Sequence, residues 1–98
     1  MRELISKVWQ WADARNLISG ATSQAQMLKM TEEVGELAHA VARNDKEKLV
    51  DAIGDCMVVL IILAAQNHLD VEACLESAYE QIKDRKGKMS GGIFIKEE

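Results

Sequence analysis

Two pairs of carboxylates are the residues of this chain with the clearest capacity for chemistry. Glu33 and Glu36 are three residues apart and Asp51 and Asp55 are four apart, so on helices the members of each pair share a face. Each pair adjoins an apolar stripe, where an ionised carboxylate needs a cation or a metal ion beside it. Facing each other, the two pairs would offer oxygen donors alone, which select Mg²⁺ or Mn²⁺. We predict a divalent-cation site here. The alternatives are that Glu32, Glu33 and Glu36 form a solvated helix face and that Asp51 is an early-turn residue beside the positive end of its helix.

A basic cluster lies near the end of the chain. It consists of Lys83, Arg85, Lys86 and Lys88, with Asp84 as the only acid among them. Alone, such a cluster is typical of a helix C-terminus, where cations oppose the negative end of the helix dipole. Together with an acidic metal site it suits a polyphosphate, whose oxygens take both metal ions and cationic donors.

The aromatic residues and histidines give weaker signals. Trp9, Trp11 and Tyr79 are interpreted as core residues, with the alternative that one tryptophan stacks on a nucleobase. His39 and His68 have no nucleophile or acid partner in the sequence, so we assign them no catalytic role. The glycine-rich phosphate-binding patterns are also missing.

Four helices are expected to position these residues. The sequence has no Pro, and its apolar residues recur at spacings of three and four, which favours helix throughout. The expected helices cover about residues 2–16, 23–43, 46–67 and 71–86, with N-caps at Thr22 or Ser23, at Asp45 and at Asp70. Residues 88–98 form a short extended tail. The fold class is therefore predicted to be all-α, an antiparallel four-helix bundle with a short extended C-terminal tail.

The apolar stripes predict which helix faces are packed. In the second helix the stripe is formed by Met27, Met30, Val34, Leu37 and Val41. In the third helix the stripe begins with two acids, as Asp51, Asp55, Val58 and Ile62. Between Cys56 and Ala65 the third helix is apolar on all sides, and such a helix must be surrounded. We expect a second copy of the chain to cover part of it.

Length and composition restrict the class of protein. The 98 residues are expected to form one domain over 1–98, and a net charge of −4 argues against stable nucleic-acid binding. The longest apolar run, Cys56–Ala65, is shorter than the roughly 20 residues that cross a bilayer, and the N-terminus has no signal-peptide core. We therefore expect a soluble, cytoplasmic protein without membrane partners.

Three segments of this sequence resemble a known family over about residues 9–96. The segments LKMTEEVGELAHAV, DAIGDCMVVLIILA and AYEQIKDRKGKMSGGIFIKEE are similar to those of the small MazG-like nucleoside triphosphate pyrophosphohydrolases, of the all-α NTP pyrophosphatase superfamily. The resemblance implies Mg²⁺-dependent hydrolysis of a (deoxy)nucleoside triphosphate to the monophosphate and pyrophosphate. It also implies homodimers or homotetramers with the site between helices.

Carried over residue by residue, the resemblance assigns roles to the two clusters. Glu33, Glu36 and Asp55 match metal ligands, whereas the remaining ligand position is Ala52, so that Asp51 is the nearest acid. A metal-bound water would attack the α-phosphorus, with Glu32 orienting or deprotonating it. The residues assigned to substrate binding are Lys29, Lys83, Arg85 and Lys86.

Two other interpretations remain open at this stage. The loss of a ligand at Ala52 is compatible with a non-catalytic bundle that binds a nucleotide or a partner. A purely structural oligomerisation module is the third, and it predicts no stabilisation by metal.

Overall fold

One long central helix organises the fold. The computed structural model describes residues 1–97, which form helices α1 (Arg2–Ala14), α2 (Ser23–Ala42), α3 (Lys46–Gln66) and α4 (Val71–Ile82), then strands β1 (Gly87–Ser90) and β2 (Ile93–Lys96). Helix α2 packs along α3, while α1 and α4 contact α3 over shorter lengths. The predicted all-α class with a short extended tail is confirmed.

The three predicted N-caps are confirmed. The side chains of Thr22, Asp45 and Asp70 accept hydrogen bonds from backbone N–H groups in the first turns of α2, α3 and α4. Each of these bonds satisfies a donor that the helix itself leaves free.

The three turns between helices share one geometry. Asn16, Asn44 and His68 each adopt a positive φ just after a helix, in the left-handed region that commonly terminates helices. The next residue then donates its N–H back to a carbonyl in the last turn, as Leu17 does to Ala12 at 3.0 Å. The equivalent bonds run from Asp45 to Ala40 and from Leu69 to Ala64. These bonds satisfy carbonyls that the last turns of α1, α2 and α3 leave free.

Helix α4 ends at Ile82, earlier than predicted, because the following residues enter a β-hairpin. The Lys86 carbonyl accepts from the Glu97 N–H at 2.7 Å, and β1 pairs antiparallel with β2. Gly91 and Gly92 form the two-residue turn with φ of 58° and 80°, values that glycine adopts without strain.

The packed face of α2 differs from the predicted stripe. Its buried residues are Gln26, Glu33 and Ala40, spaced seven apart, whereas Val34 and Val41 of the predicted stripe are 47% and 61% exposed. The prediction holds only for Met30 and Leu37, which are half-buried, because α2 is rotated about its axis so that the line through its three buried residues is the packed one. The side of the stripe formed by Met27, Val34 and Val41 is left at the surface.

The predicted stripe of α3 is wrong for its two acids and right for Ile62, which is 4% exposed. Ala52, Cys56 and Val59 are buried, and Asp51 and Asp55 are exposed. Turning the helix by one position buries small apolar side chains and leaves both carboxylates hydrated, which avoids the cost of burying an unpaired charge.

Much apolar surface stays uncovered in the single chain. By length and composition α3 could cross a membrane, although a core helix passes the same test, and 33% of its most apolar 18-residue window is buried here. Trp9, Trp11 and Tyr79, expected in the core, are also exposed. The radius of gyration is 16.0 Å, against about 13 Å for a compact domain of this length.

Helix α4 and the hairpin account for part of this extension. Neither α4 nor the two strands has a buried residue, and the hairpin makes few contacts with the helices. We call residues 71–96 the arm.

Candidate functional site

A cavity of about 520 Å³ between α1, α2 and α3 brings together acids from two helices. We call it the acid pocket. Glu33 of α2 and Asp55 of α3 line it, so the structure unites one member of each predicted acid pair. The full lining is Trp11, Leu17, Ala25, Gln26, Lys29, Glu33, Asp55, Val58, Val59 and Ile62.

Glu33 is buried and paired with a cation. Its side chain is 10% exposed, and its Oε1 atom lies 3.3 Å from Lys29 Nζ, one helical turn away. Lys29 Nζ also lies 3.6 Å from Glu32 Oε2. The hydrogen bond to Glu33, followed by the charge of Glu32, raises the pKa of Lys29 above its usual value. Lys29 therefore supplies the positive charge that a buried carboxylate requires.

The other two predicted metal ligands lie outside this cavity. Glu36 and Asp51 are exposed and do not line the acid pocket. Within residues 1–97, no three His, Cys, Asp or Glu side chains are grouped so that they could hold one metal ion. The four-ligand metal site therefore stays a prediction, although the oxygen donors of Glu33 and Asp55 are of the type that Mg²⁺ prefers.

The predicted basic residues lie elsewhere. Arg85 and Lys86 line a separate open cavity of about 450 Å³ at the base of the hairpin, which we call the basic pocket and which also contains Asp84, Lys96 and Glu97. Lys83 Nζ forms an ion pair with Glu80 Oε2 at 2.7 Å. None of these basic residues lines the acid pocket, so one chain does not unite the two predicted halves of a polyphosphate site.

Two residues of the acid pocket were not predicted as site residues. Trp11 was interpreted as a core residue, with stacking of one tryptophan on a nucleobase as the alternative. It lines the cavity, and the guanidinium of Arg15 lies 4.5 Å from its ring centroid. Gln26 is a buried polar residue of the same lining. Its seven-residue spacing from Glu33 was the available signal, since both lie on the edge of α2 that packs against α3.

The sequence comparisons identify the class of protein to which this fold and pocket belong. Residues 21–90, from the start of α2 to the end of β1, match the MazG nucleotide pyrophosphohydrolase domain, and the chain belongs to that family. The resemblance noted from the sequence is thereby confirmed.

A curated phage protein is similar to this chain in sequence. The chain is 49% identical over 70 residues to an uncharacterised 18.2 kDa protein of the rep-hol intergenic region of Haemophilus phage HP1. The alignment covers 71% of this chain and 43% of the phage protein, so the chain spans less than half of that relative's length. No solved structure matches the chain.

Proposed function

We propose that this protein hydrolyses a (deoxy)nucleoside triphosphate to the nucleoside monophosphate and pyrophosphate in an Mg²⁺-dependent reaction. The observation that carries the proposal is the acid pocket, in which Glu33 and Asp55 from two helices meet in a chain of the MazG nucleotide pyrophosphohydrolase family. The cavity of about 520 Å³ falls in the range of small-molecule sites.

The acidic residues would hold Mg²⁺, with Mn²⁺ as a substitute. Glu33 and Asp55 are the ligands within the pocket, and Glu36 and Asp51 lie one helical turn from them. When bound, the ion would supply positive charge to the phosphate oxygens and a water of lowered pKa.

We assign two further roles beside the α-phosphate: Lys29 binds a phosphate oxygen, and Glu32 accepts a proton from the attacking water. Lys29 carries its charge beside Glu33, and a substrate phosphate can take the place of one of its two carboxylate partners. Glu32 is 64% exposed and accepts the proton as water oxygen bonds to the α-phosphorus. The bond from that phosphorus to the bridging oxygen breaks, and its electron pair leaves with pyrophosphate.

We propose a second copy of the chain as the partner that covers the exposed apolar surface. Met57 and Leu60 of α3 are 42% and 43% exposed and line an apolar cavity of about 210 Å³ between α1, α3 and α4. A bilayer fits less well, because the apolar run Cys56–Ala65 extends only about 15 Å, half of a hydrocarbon core. Asp51 and Asp55 precede it on the same helix.

The oligomer is tested by the particle mass in solution. Light scattering on the wild-type chain is expected to give a dimer or tetramer, and Leu60→Glu is expected to shift it toward the monomer. Leu28→Glu is the matched control, since Leu28 is 74% exposed on α2 and lines none of the cavities on this face. A monomeric wild-type protein would overturn the proposal.

The enzymatic proposal is tested by pyrophosphate release from a panel of ribo- and deoxynucleoside triphosphates with Mg²⁺, with Mn²⁺ and with EDTA. We expect metal-dependent release from at least one substrate, and its loss in Glu36→Ala at unchanged helical content. Simultaneous loss of the fold would instead identify Glu36 as a structural residue.

The runner-up is a non-catalytic nucleotide-binding bundle. The observation that favours it is Ala52, which is 4% exposed where the resemblance leads us to expect an acidic ligand. This alternative predicts nucleotide binding without pyrophosphate release in the same panel, whereas a structural module predicts neither.

A further inference from the structure

We propose that Trp11 and Gln26 form the nucleobase subsite of the acid pocket, with Trp11 stacking on the base and Gln26 hydrogen-bonding its edge. This inference rests on the proposed function, because it assigns the place where the nucleotide's base binds. It reaches into α1, which lies outside the matched family region of residues 21–90.

The two residues share one cavity with the acids. Trp11 comes from α1 and Gln26 from α2, and both line the acid pocket beside Glu33 and Asp55. Much of the remaining lining is aliphatic, from Leu17, Val58, Val59 and Ile62. A pocket with acids for the phosphate side and an aromatic and amide group for the base can hold a whole nucleotide.

Trp11 has the properties of a stacking platform. Its side chain is left partly open, at 46% exposed, rather than packed in the core. The Arg15 guanidinium stacks 4.5 Å from its ring centroid, and Arg15 Nη1 donates to the Trp11 carbonyl at 3.1 Å. Arg15 covers one face of the indole and does not line the acid pocket, so the opposite face is the one proposed to stack on a base. Because every base has a π-face, such a platform accepts any nucleobase.

Gln26 is suited to recognise the edge of a base by hydrogen bonding. It is 9% exposed, yet among residues 1–97 no hydrogen bond involves its side-chain amide. An amide offers both donors and an acceptor, which is the complement of a base edge. Neither polar atom of this amide is fully buried, so the group is hydrated in the free protein and is available to a ligand that enters the cavity.

Trp9 provides a matched control for Trp11. It lies two residues away on α1 and is 43% exposed, but it does not line the acid pocket. The variant Trp9→Phe retains Trp11 as its sole tryptophan, and Trp11→Phe retains Trp9. The fluorescence of the two single-tryptophan proteins therefore reports on each position separately.

The experiment titrates both proteins with AMP, GMP, CMP, dTMP and inorganic phosphate in the presence of Mg²⁺. We expect at least one nucleotide to quench Trp11 fluorescence in Trp9→Phe, inorganic phosphate to leave it unchanged, and Trp11→Phe to show no quenching. By calorimetry, Trp11→Ala should raise the Kd of that nucleotide about tenfold or more, while Trp9→Ala leaves it unchanged.

A second variant tests the amide. Gln26→Leu keeps the size of the side chain and removes its hydrogen-bonding groups, so the Kd values of the four nucleotides should converge. Unchanged Kd values and ranking in Gln26→Leu would overturn the role of the amide. Equal quenching of Trp9 and Trp11, or none of Trp11 by any nucleotide that the protein binds, would overturn the stacking role.

Pyrophosphate release in the same proteins separates this inference from the proposed function. If the wild-type chain releases pyrophosphate but Trp11 shows no response, the nucleobase subsite is refuted and the proposed enzymatic activity stands. If nucleotides quench Trp11 but no triphosphate releases pyrophosphate, the proposed enzymatic activity is refuted and the nucleobase subsite stands. Circular dichroism of each variant verifies that the helices are intact.

Discussion

The acid pocket and the arm differ in what supports them. All buried side chains of the described residues belong to α1, α2 and α3, the helices that build the acid pocket, whereas residues 71–96 of the arm include none. The carboxylates of the pocket are therefore positioned by packing within one chain. The basic residues of the arm have no comparable support, because the arm packs little against the rest of the chain. Their position relative to the acid pocket therefore depends on what the arm contacts.

The largest expected effect is at Asp55. Asp55→Asn removes a carboxylate from the acid pocket at an exposed position, so it should reduce kcat by a factor of about 10³ or more at unchanged helical content. Pyrophosphate release and circular dichroism measure the two effects. The control is Glu76→Gln, which removes the charge of an exposed residue on α4 and should leave kcat unchanged. Comparable losses in both variants would remove the distinction between pocket and arm.

A smaller effect is expected for the basic pocket. The double variant Arg85→Ala/Lys86→Ala should reduce kcat/KM roughly 10- to 100-fold, because charge-assisted hydrogen bonds to phosphate are lost. The fold should be unaffected, since neither side chain is buried.

Mixing the two impaired proteins sharpens this prediction. If the arm of one copy completes the acid pocket of another, mixtures of Asp55→Asn chains with Arg85→Ala/Lys86→Ala chains should regain part of the activity after joint refolding. Mixtures no more active than the separate proteins would mean that each chain uses its own arm, or that the basic pocket does not bind substrate.

Two glycines should respond in opposite ways. A Cβ at Gly54, inside α3, would meet no atom within 4 Å, so Gly54→Ala should raise the free energy of unfolding by about 0.5–1 kcal/mol. A Cβ at Gly87 would collide with the Ile95 carbonyl and the Phe94 ring. Gly87→Ala should therefore disrupt the hairpin with little effect on the main unfolding transition, as followed in urea. Destabilisation by Gly54→Ala would show that a second copy packs against that backbone.

The smallest effect is expected where the arm begins. Arg2 Nη2 lies 3.1 Å from Asp70 Oδ2 and its Nε lies 2.6 Å from Glu72 Oε2, so α1 is tied to the start of α4. The Glu72 backbone N–H, and then Arg2, lower the pKa of Asp70 below its usual value of 3.8. A lowered folded-state pKa means that the stabilisation is present above pH 4 and is lost as the pH falls through the folded-state pKa.

The variant Asp70→Asn tests this tie, since Asn still caps the helix but carries no charge. Its Tm should lie slightly below that of the wild type at pH 6, and the difference should shrink toward pH 3. A constant difference over this range would show that the charge of Asp70 contributes nothing.

Local features of the fold were predictable, whereas its packed faces were not. The caps at Thr22, Asp45 and Asp70 depend on atoms within three residues of each cap, so sequence spacing was sufficient. The buried faces of α2 and α3 coincide with the predicted stripes only in part: Met30, Leu37 and Ile62 are at least half-buried, whereas the rest of each buried face is displaced by one position. Periodicity does not select a face on a helix such as α3 that is apolar on all sides.

The sequence by itself determined the helices, their caps and the family of this protein, because those properties reside in short-range order and in the identity of residues along the chain. Only the tertiary structure decided that Glu33 and Asp55 share a cavity with Trp11 and Gln26 while Arg85 and Lys86 line another. Which side chains meet across helices depends on the rotation of each helix about its axis, and that rotation is set by packing between elements distant in sequence.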